Sequence, residues 1–162
     1  MLLVGCGHLA VGPASPHPNV ILAAAKTPGT LVLGPAVSDN FTVAGTASVN
    51  EVPVSGWRST INAGFRNAFP SAAENGRKLE LMQADLSFAP AAVGHGGTAA
   101  VVATIRFKAR VVDATGERGV LAGTVRAREA NTSASEEGMT DNAAKAIEAL
   151  YEMLTAELLQ KS

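Results

Sequence analysis

The chain reads as an α+β two-layer sandwich, an antiparallel meander sheet of about four strands with two helices packed on one face. Three observations predict it. Trp57, Ile61, Phe65 and Phe69 recur every four residues, and Ala143, Ile147, Leu150, Tyr151, Leu154 and Leu158 make a second stripe at helical spacing. From Ala99 to Val111 the odd positions are Ala, Val, Ala, Ile, Phe, Ala and Val, whereas the even ones include Thr104, Arg106, Lys108 and Arg110. That alternation gives a strand one apolar and one basic face. Helices with one apolar stripe and a sheet with one apolar face bury those sides on each other, which makes two layers.

The elements follow in order. Thr30–Ser38 is a first strand, with Leu31 and Leu33 alternating against smaller residues. Asp39–Val54, rich in Thr, Ser, Asn, Gly and Val, is either an irregular extension or a weak hairpin. Ser55–Phe69 is the first helix, with Ser55 placed to cap it and Pro70 to end it. Arg58 and Arg66 fall off its stripe and are expected in solvent. Lys78–Phe88 is a second strand. Leu79 and Leu81 have one parity and Leu86 and Phe88 the other, so burying both pairs requires a β-bulge between Met82 and Asp85. Pro90–Gly97 is a glycine-rich loop. After the Ala99–Val111 strand, Asp113–Gly119 supplies turn residues, and the pattern resumes with Leu121, Val125 and Ala127 inward and Thr124, Arg126 and Arg128 outward. This is a hairpin with its tip near Gly116, which sets Arg106 across from Arg126. Asn131–Gly138 is a polar loop, and Thr140 or Asp141 opens a last helix that runs to about Gln160.

The chain of 162 residues suffices for one domain. Aromatics are only 4% of residues, so Ala, Val, Leu and Ile must build the core. Thirteen Lys and Arg against 14 acidic residues leave a net charge of -1, which gives no reason to expect a nucleic-acid partner. No apolar run reaches the roughly 18 residues that cross a bilayer. The single cysteine excludes an internal disulfide and a multi-cysteine metal site.

That cysteine is informative by position. Leu3-Val4-Gly5-Cys6 has the form of a lipobox, at which bacterial lipoprotein precursors are lipidated on the thiol and cut before it. A secretory signal has a positive n-region and an apolar stretch of about 7–15 residues, and only Met1 to Gly5 stand ahead of Cys6. Either the start lies further upstream or most of the signal is missing. Residues 1–6 are read as residual signal and lipobox. Residues 7–28, with Pro13, Pro16, Pro18 and Pro28, are a flexible tether, and 29–162 are the domain. Gly7 after the cysteine, in place of Asp, directs a Gram-negative lipoprotein to the outer membrane, with the domain on the periplasmic face.

Catalytic patterns are missing from the sequence. It has no G-x-S-x-G elbow, no Walker or dinucleotide glycine pattern and no H-E-x-x-H. His8, His17 and His95 all fall in expected loops, and Glu136, Glu137 and Asp141 complement a helix N-terminus. The expectation is a non-enzymatic protein with no metal or cofactor. The candidate site is the basic face of the hairpin: Arg106, Lys108, Arg110, Arg126 and Arg128, placed to dock an anionic partner. Glu80 and Asp85 on the neighbouring strand are placed to pair with them instead.

The layout of lipobox, spacer, strand, helix, strand meander and closing amphipathic helix resembles small Gram-negative outer-membrane lipoproteins of the LptE lipopolysaccharide-assembly and YajG families. Cys6-Gly7-His8-Leu9 is similar to the mature start of the former, and Val101–Arg128 looks like the long hairpin of either. The resemblance implies a non-enzymatic periplasmic role. In the LptE type this is plugging a barrel partner and handling lipopolysaccharide; in the YajG type the role is undefined. Two functions are expected. One is an assembly or adapter lipoprotein binding an envelope protein or lipopolysaccharide. The other is a periplasmic carrier holding a lipid or small amphiphile between sheet and helices, for which a cavity there is needed.

Overall fold

The fold is set by how each apolar stripe finds cover. The computed structural model describes residues 9–10, 29–44, 51–68, 77–91, 100–129 and 136–160. Cys6, most of the 7–28 tether, the three histidines, Phe69 and Pro70 lie outside them. Seven strands and two helices are described: β1 (Leu9–Ala10), β2 (Gly29–Leu33), β3 (Phe41–Ala44), β4 (Glu51–Ser55), α1 (Trp57–Ala68), β5 (Arg77–Ala91), β6 (Ala100–Asp113), β7 (Gly116–Arg126) and α2 (Glu136–Gln160). The main sheet has the order β2-β5-β6-β7. Leu79, Leu81, Ala84, Leu86, Ile105, Phe107 and Val125 face inward and are buried, as are Trp57, Ile61 and Phe65 of α1 and Ile147, Leu150, Tyr151 and Leu154 of α2. The α+β two-layer sandwich is thus the architecture.

Several details differ from the sequence reading. β2 pairs with β5 in parallel, Leu31 facing Leu79 and Leu33 facing Leu81, so the sheet is mixed and not a pure meander. Parallel pairing needs a long crossover, and α1 with the segment before it supplies one. Of the two readings of Asp39–Val54, the hairpin is the one that forms, β3 with β4, Val43 facing Val52. Leu9 and Ala10 join it as β1, parallel to Val54 and Ser55. Leu9 is fully buried, so the spacer reading does not extend to these two residues. The bulge of β5 falls at Met82, between the Leu81 and Gln83 pairs.

The cap of α1 also comes from elsewhere. Asp39 Oδ1 accepts from the Ser59 backbone N–H at 2.9 Å and from the Ser59 hydroxyl at 3.1 Å, so a carboxylate from the preceding hairpin region serves the helix N-terminus where Ser55 was expected. Arg58 is not in free solvent. Its guanidinium donates to the carbonyls of Leu33 (2.8 Å), Gly34 (2.7 Å) and Val37 (2.9 Å), which ties down the turn that leaves β2.

Where the helices cross, Tyr151 donates its hydroxyl to the Ile61 carbonyl at 2.5 Å. Burial pushes this phenol well above its ordinary range. Gly64 makes the crossing possible, because a Cβ there would stand 2.8 Å from Tyr151 Cε2.

Candidate binding face of the sheet

Both helices lie on one side of the main sheet, and no other described element covers its opposite face. β6 lies between β5 and β7 on that face and carries Thr104, Arg106, Lys108 and Arg110 outward in alternation. Across on β5 stand Ser87, Asp85, Gln83 and Glu80 in turn; across on β7 stand Arg126, Thr124, Ala122 and Val120.

The hairpin turn is tighter than the sequence suggested. Asp113 pairs with Gly116 around the two-residue turn Ala114-Thr115, and Gly116 has a φ of 117°, a region open to glycine. Asp113 Oδ1 accepts from the Thr115 N–H at 2.8 Å and its hydroxyl at 2.7 Å. Val112 then faces Glu117 while Val111 faces Gly119, so Arg118 is the extra residue of a bulge. Turn and bulge together shift the register. Arg106 faces Thr124, and Arg126 faces Thr104. The like-charge opposition of Arg106 and Arg126 is therefore relieved to a diagonal.

The five basic residues do not share one environment. Arg110 is held by Glu80 at 2.6 Å and lies 3.6 Å from Glu117. Arg106 lies 3.3 Å from Asp85, and its side chain is 72% exposed. A pair so open contributes about 0–1 kcal/mol. Arg128 leaves the face altogether. β7 ends at Arg126, and beyond it Arg128 turns to Glu152 of α2 at 2.6 Å. Among the described residues, Lys108 and Arg126 have no carboxylate within ion-pair distance, and both are exposed. An open depression of about 550 Å³ is lined by Gln83, Arg106, Phe107, Lys108, Ala122, Gly123 and Thr124. On the opposite, covered side of the sheet Gly123 faces the Phe107 ring, whose Cε1 would stand 3.4 Å from a Cβ there.

Other features sit apart from this face. A cleft of about 420 Å³ runs between β3 and β5, with Phe41, Val43, Leu86 and Phe88 among its walls. On the helix side, Lys145 lies 3.1 Å from Asp141 and 3.7 Å from Glu129. The hydrogen bond and charge of Asp141 raise its ammonium pKa above the ordinary value, with Glu129 adding to it. Asn142 is buried at 1% exposure; its Oδ1 accepts from the Ala103 N–H at 2.5 Å, and its Nδ2 donates to the Glu129 carbonyl at 2.8 Å. An asparagine inside the stripe Met139, Ala143, Ala146 and Leu150 was the sequence signal for this link. Among the described residues no cluster of three His, Cys, Asp or Glu is arranged to hold a metal, and no helix is long and apolar enough to cross a membrane.

No family model matches the chain, and no curated protein does. Solved structures do resemble it. Protein XCC0632 from Xanthomonas campestris, of family DUF330, shares 12% identity over 95% of this chain and 95% of its own, with a TM-score of 0.58. A second, uncharacterized protein shares 7% identity over 82% of this chain and 90% of its own, with a TM-score of 0.47. The first likeness shows a shared fold.

Proposed function

We propose that this chain is a non-enzymatic envelope lipoprotein that works as an adapter. Cys6 carries a lipid in the outer membrane, the segment after it spaces the domain into the periplasm, and the bare sheet face docks an anionic envelope component. That component is lipopolysaccharide or the acidic surface of another envelope protein. An LptE-type role fits the first, and a YajG-type assignment leaves the partner open. The observation that carries the reading is Lys108, outward on β6 with no carboxylate within ion-pair distance among the described residues, next to the 72% exposed Arg106. An exposed cation without a local partner, and one held only in an open surface pair, are available to phosphate or carboxylate.

The carrier reading is less well supported. It needs room between sheet and helices, and there Leu79, Leu81, Ile105, Ile147 and Leu150 are all 0% exposed. The 420 Å³ cleft lies beside β3, outside that interface.

The test is binding of the full chain to vesicles containing anionic lipid or lipopolysaccharide, compared with zwitterionic vesicles. Arg106→Gln with Lys108→Gln should weaken anionic binding roughly 30-fold, taking about 1 kcal/mol per surface cation, and leave the melting temperature nearly unchanged. Binding that survives the double change, or that does not fall with added salt, contradicts the proposal.

A further inference from the structure

Among the described residues β7 is an open edge, with a strand partner on one side only; Ala122, Gly123 and Thr124 are exposed, and Val120 is 50% exposed. Sheet edges are normally blunted by proline, inward-pointing charge or short length. β7 runs for 11 residues with no proline, and its inward positions are Gly119, Leu121, Gly123 and Val125. Its bulge, at Arg118, sits near the hairpin tip.

The free backbone groups can be assigned. The Ala127 N–H donates to the Ala103 carbonyl at 3.0 Å, on the same register that pairs Ile105 with Val125 and Phe107 with Gly123. Bonded and non-bonded pairs alternate in an antiparallel ladder. The odd residues of β7 therefore bond to β6, and the N–H and C=O groups of Val120, Ala122 and Thr124 point to the open side.

We infer that a second copy of this chain pairs with that edge, antiparallel, about a twofold axis at Ala122. Charge selects the occupant. With Ala122 on the axis, Thr124 lies opposite the second copy's Val120. Because Arg118 is the extra residue of the bulge, Arg126 then lies opposite the second copy's Glu117, and Glu117 opposite its Arg126. Glu117 stays half exposed although it is 3.6 Å from Arg110, and Arg126 has no carboxylate among the described residues. On the covered side Leu121 lies opposite Gly123, where no side chain competes for the space. A centre at Val120 or Thr124 shortens the overlap and leaves Arg126 facing no carboxylate. A centre at an odd residue presents groups already bonded to β6. The pairing joins two four-stranded sheets into one of eight and sets two Arg106–Lys108 patches on one continuous face. It does not rest on the proposed function, since it requires no anionic ligand.

Sedimentation of the full chain tests it, in ligand-free buffer with reductant so that Cys6 cannot link two copies. The expected mass is twice 16.5 kDa at about 50 μM, within reach of a small interface. Ala122→Pro removes an N–H that faces outward, which an edge strand tolerates, and should give a monomer with the melting temperature retained. Should that variant not fold, the charges decide. Arg126→Glu or Glu117→Arg alone should weaken dimerisation roughly tenfold, and the two together should restore it. A monomeric wild type overturns the inference, and so does a dimer indifferent to the charge exchange.

Discussion

Trp57→Ala should destabilise the domain by about 3–5 kcal/mol, lowering the melting temperature by roughly 10 °C or more for a chain of this size. Three losses combine. The indole is 0% exposed, so its removal leaves a cavity beneath the sheet. Its ring meets Phe41 edge-on, with centroids 6.0 Å apart, which ties the β3–β4 hairpin to α1. Its Nε1–H donates to the Ala84 carbonyl at 2.9 Å, a group that β2, ending at Leu33, does not reach. Trp57→Phe keeps most of the packing and loses the donor, so it should cost about 1–3 kcal/mol. Urea denaturation of the two variants separates packing from hydrogen bond, and an unchanged midpoint for Trp57→Ala would place the ring outside the core.

Asn142→Leu should cost about 2–4 kcal/mol, although it adds apolar volume to an apolar stripe. The reason lies at the end of β7. The Ala103 carbonyl still receives the Ala127 N–H, but its own N–H is taken by Asn142 Oδ1. Leucine would leave that buried donor without a partner, at about 1–3 kcal/mol, and would remove the bond to the Glu129 carbonyl, a smaller loss because Glu129 is exposed. Asn142→Asp keeps an acceptor for Ala103 and sets a second oxygen against the Glu129 carbonyl, so it should also destabilise. Thermal unfolding as stable as wild type for the leucine variant would show that this link is dispensable.

What the sequence disclosed, and what it did not, follows from how far each signal reaches. The alternation from Ala99 to Val111 and the stripe Trp57, Ile61 and Phe65 are local, and each set which side of its element is buried. The parity break between Leu81 and Leu86 was enough to require a bulge, which Met82 provides. Register was less legible. One extra residue, Arg118, and a two-residue turn moved Arg106 from Arg126 to Thr124, and neither leaves a mark in hydrophobic periodicity. Direction was not legible at all, because β2 alternates the same way whether it runs parallel or antiparallel to β5. Arg58 read as solvated because the three carbonyls it meets come together only in the folded turn after Leu33. Arg128 has outward parity, but β7 stops two residues short of it, and Glu152 of α2 supplies a partner that strand pattern cannot foresee.

The claim that the bare sheet face is the working surface is tested most directly by lysine acetylation with and without lipopolysaccharide-containing vesicles. Lys108 stands on that face, whereas Lys145 stands on the helix layer within 3.1 Å of Asp141. Docking on the sheet should slow acetylation of Lys108 several-fold and leave Lys145 unchanged. Equal rates at Lys108 with and without bound vesicles, or protection confined to Lys145, would contradict the account.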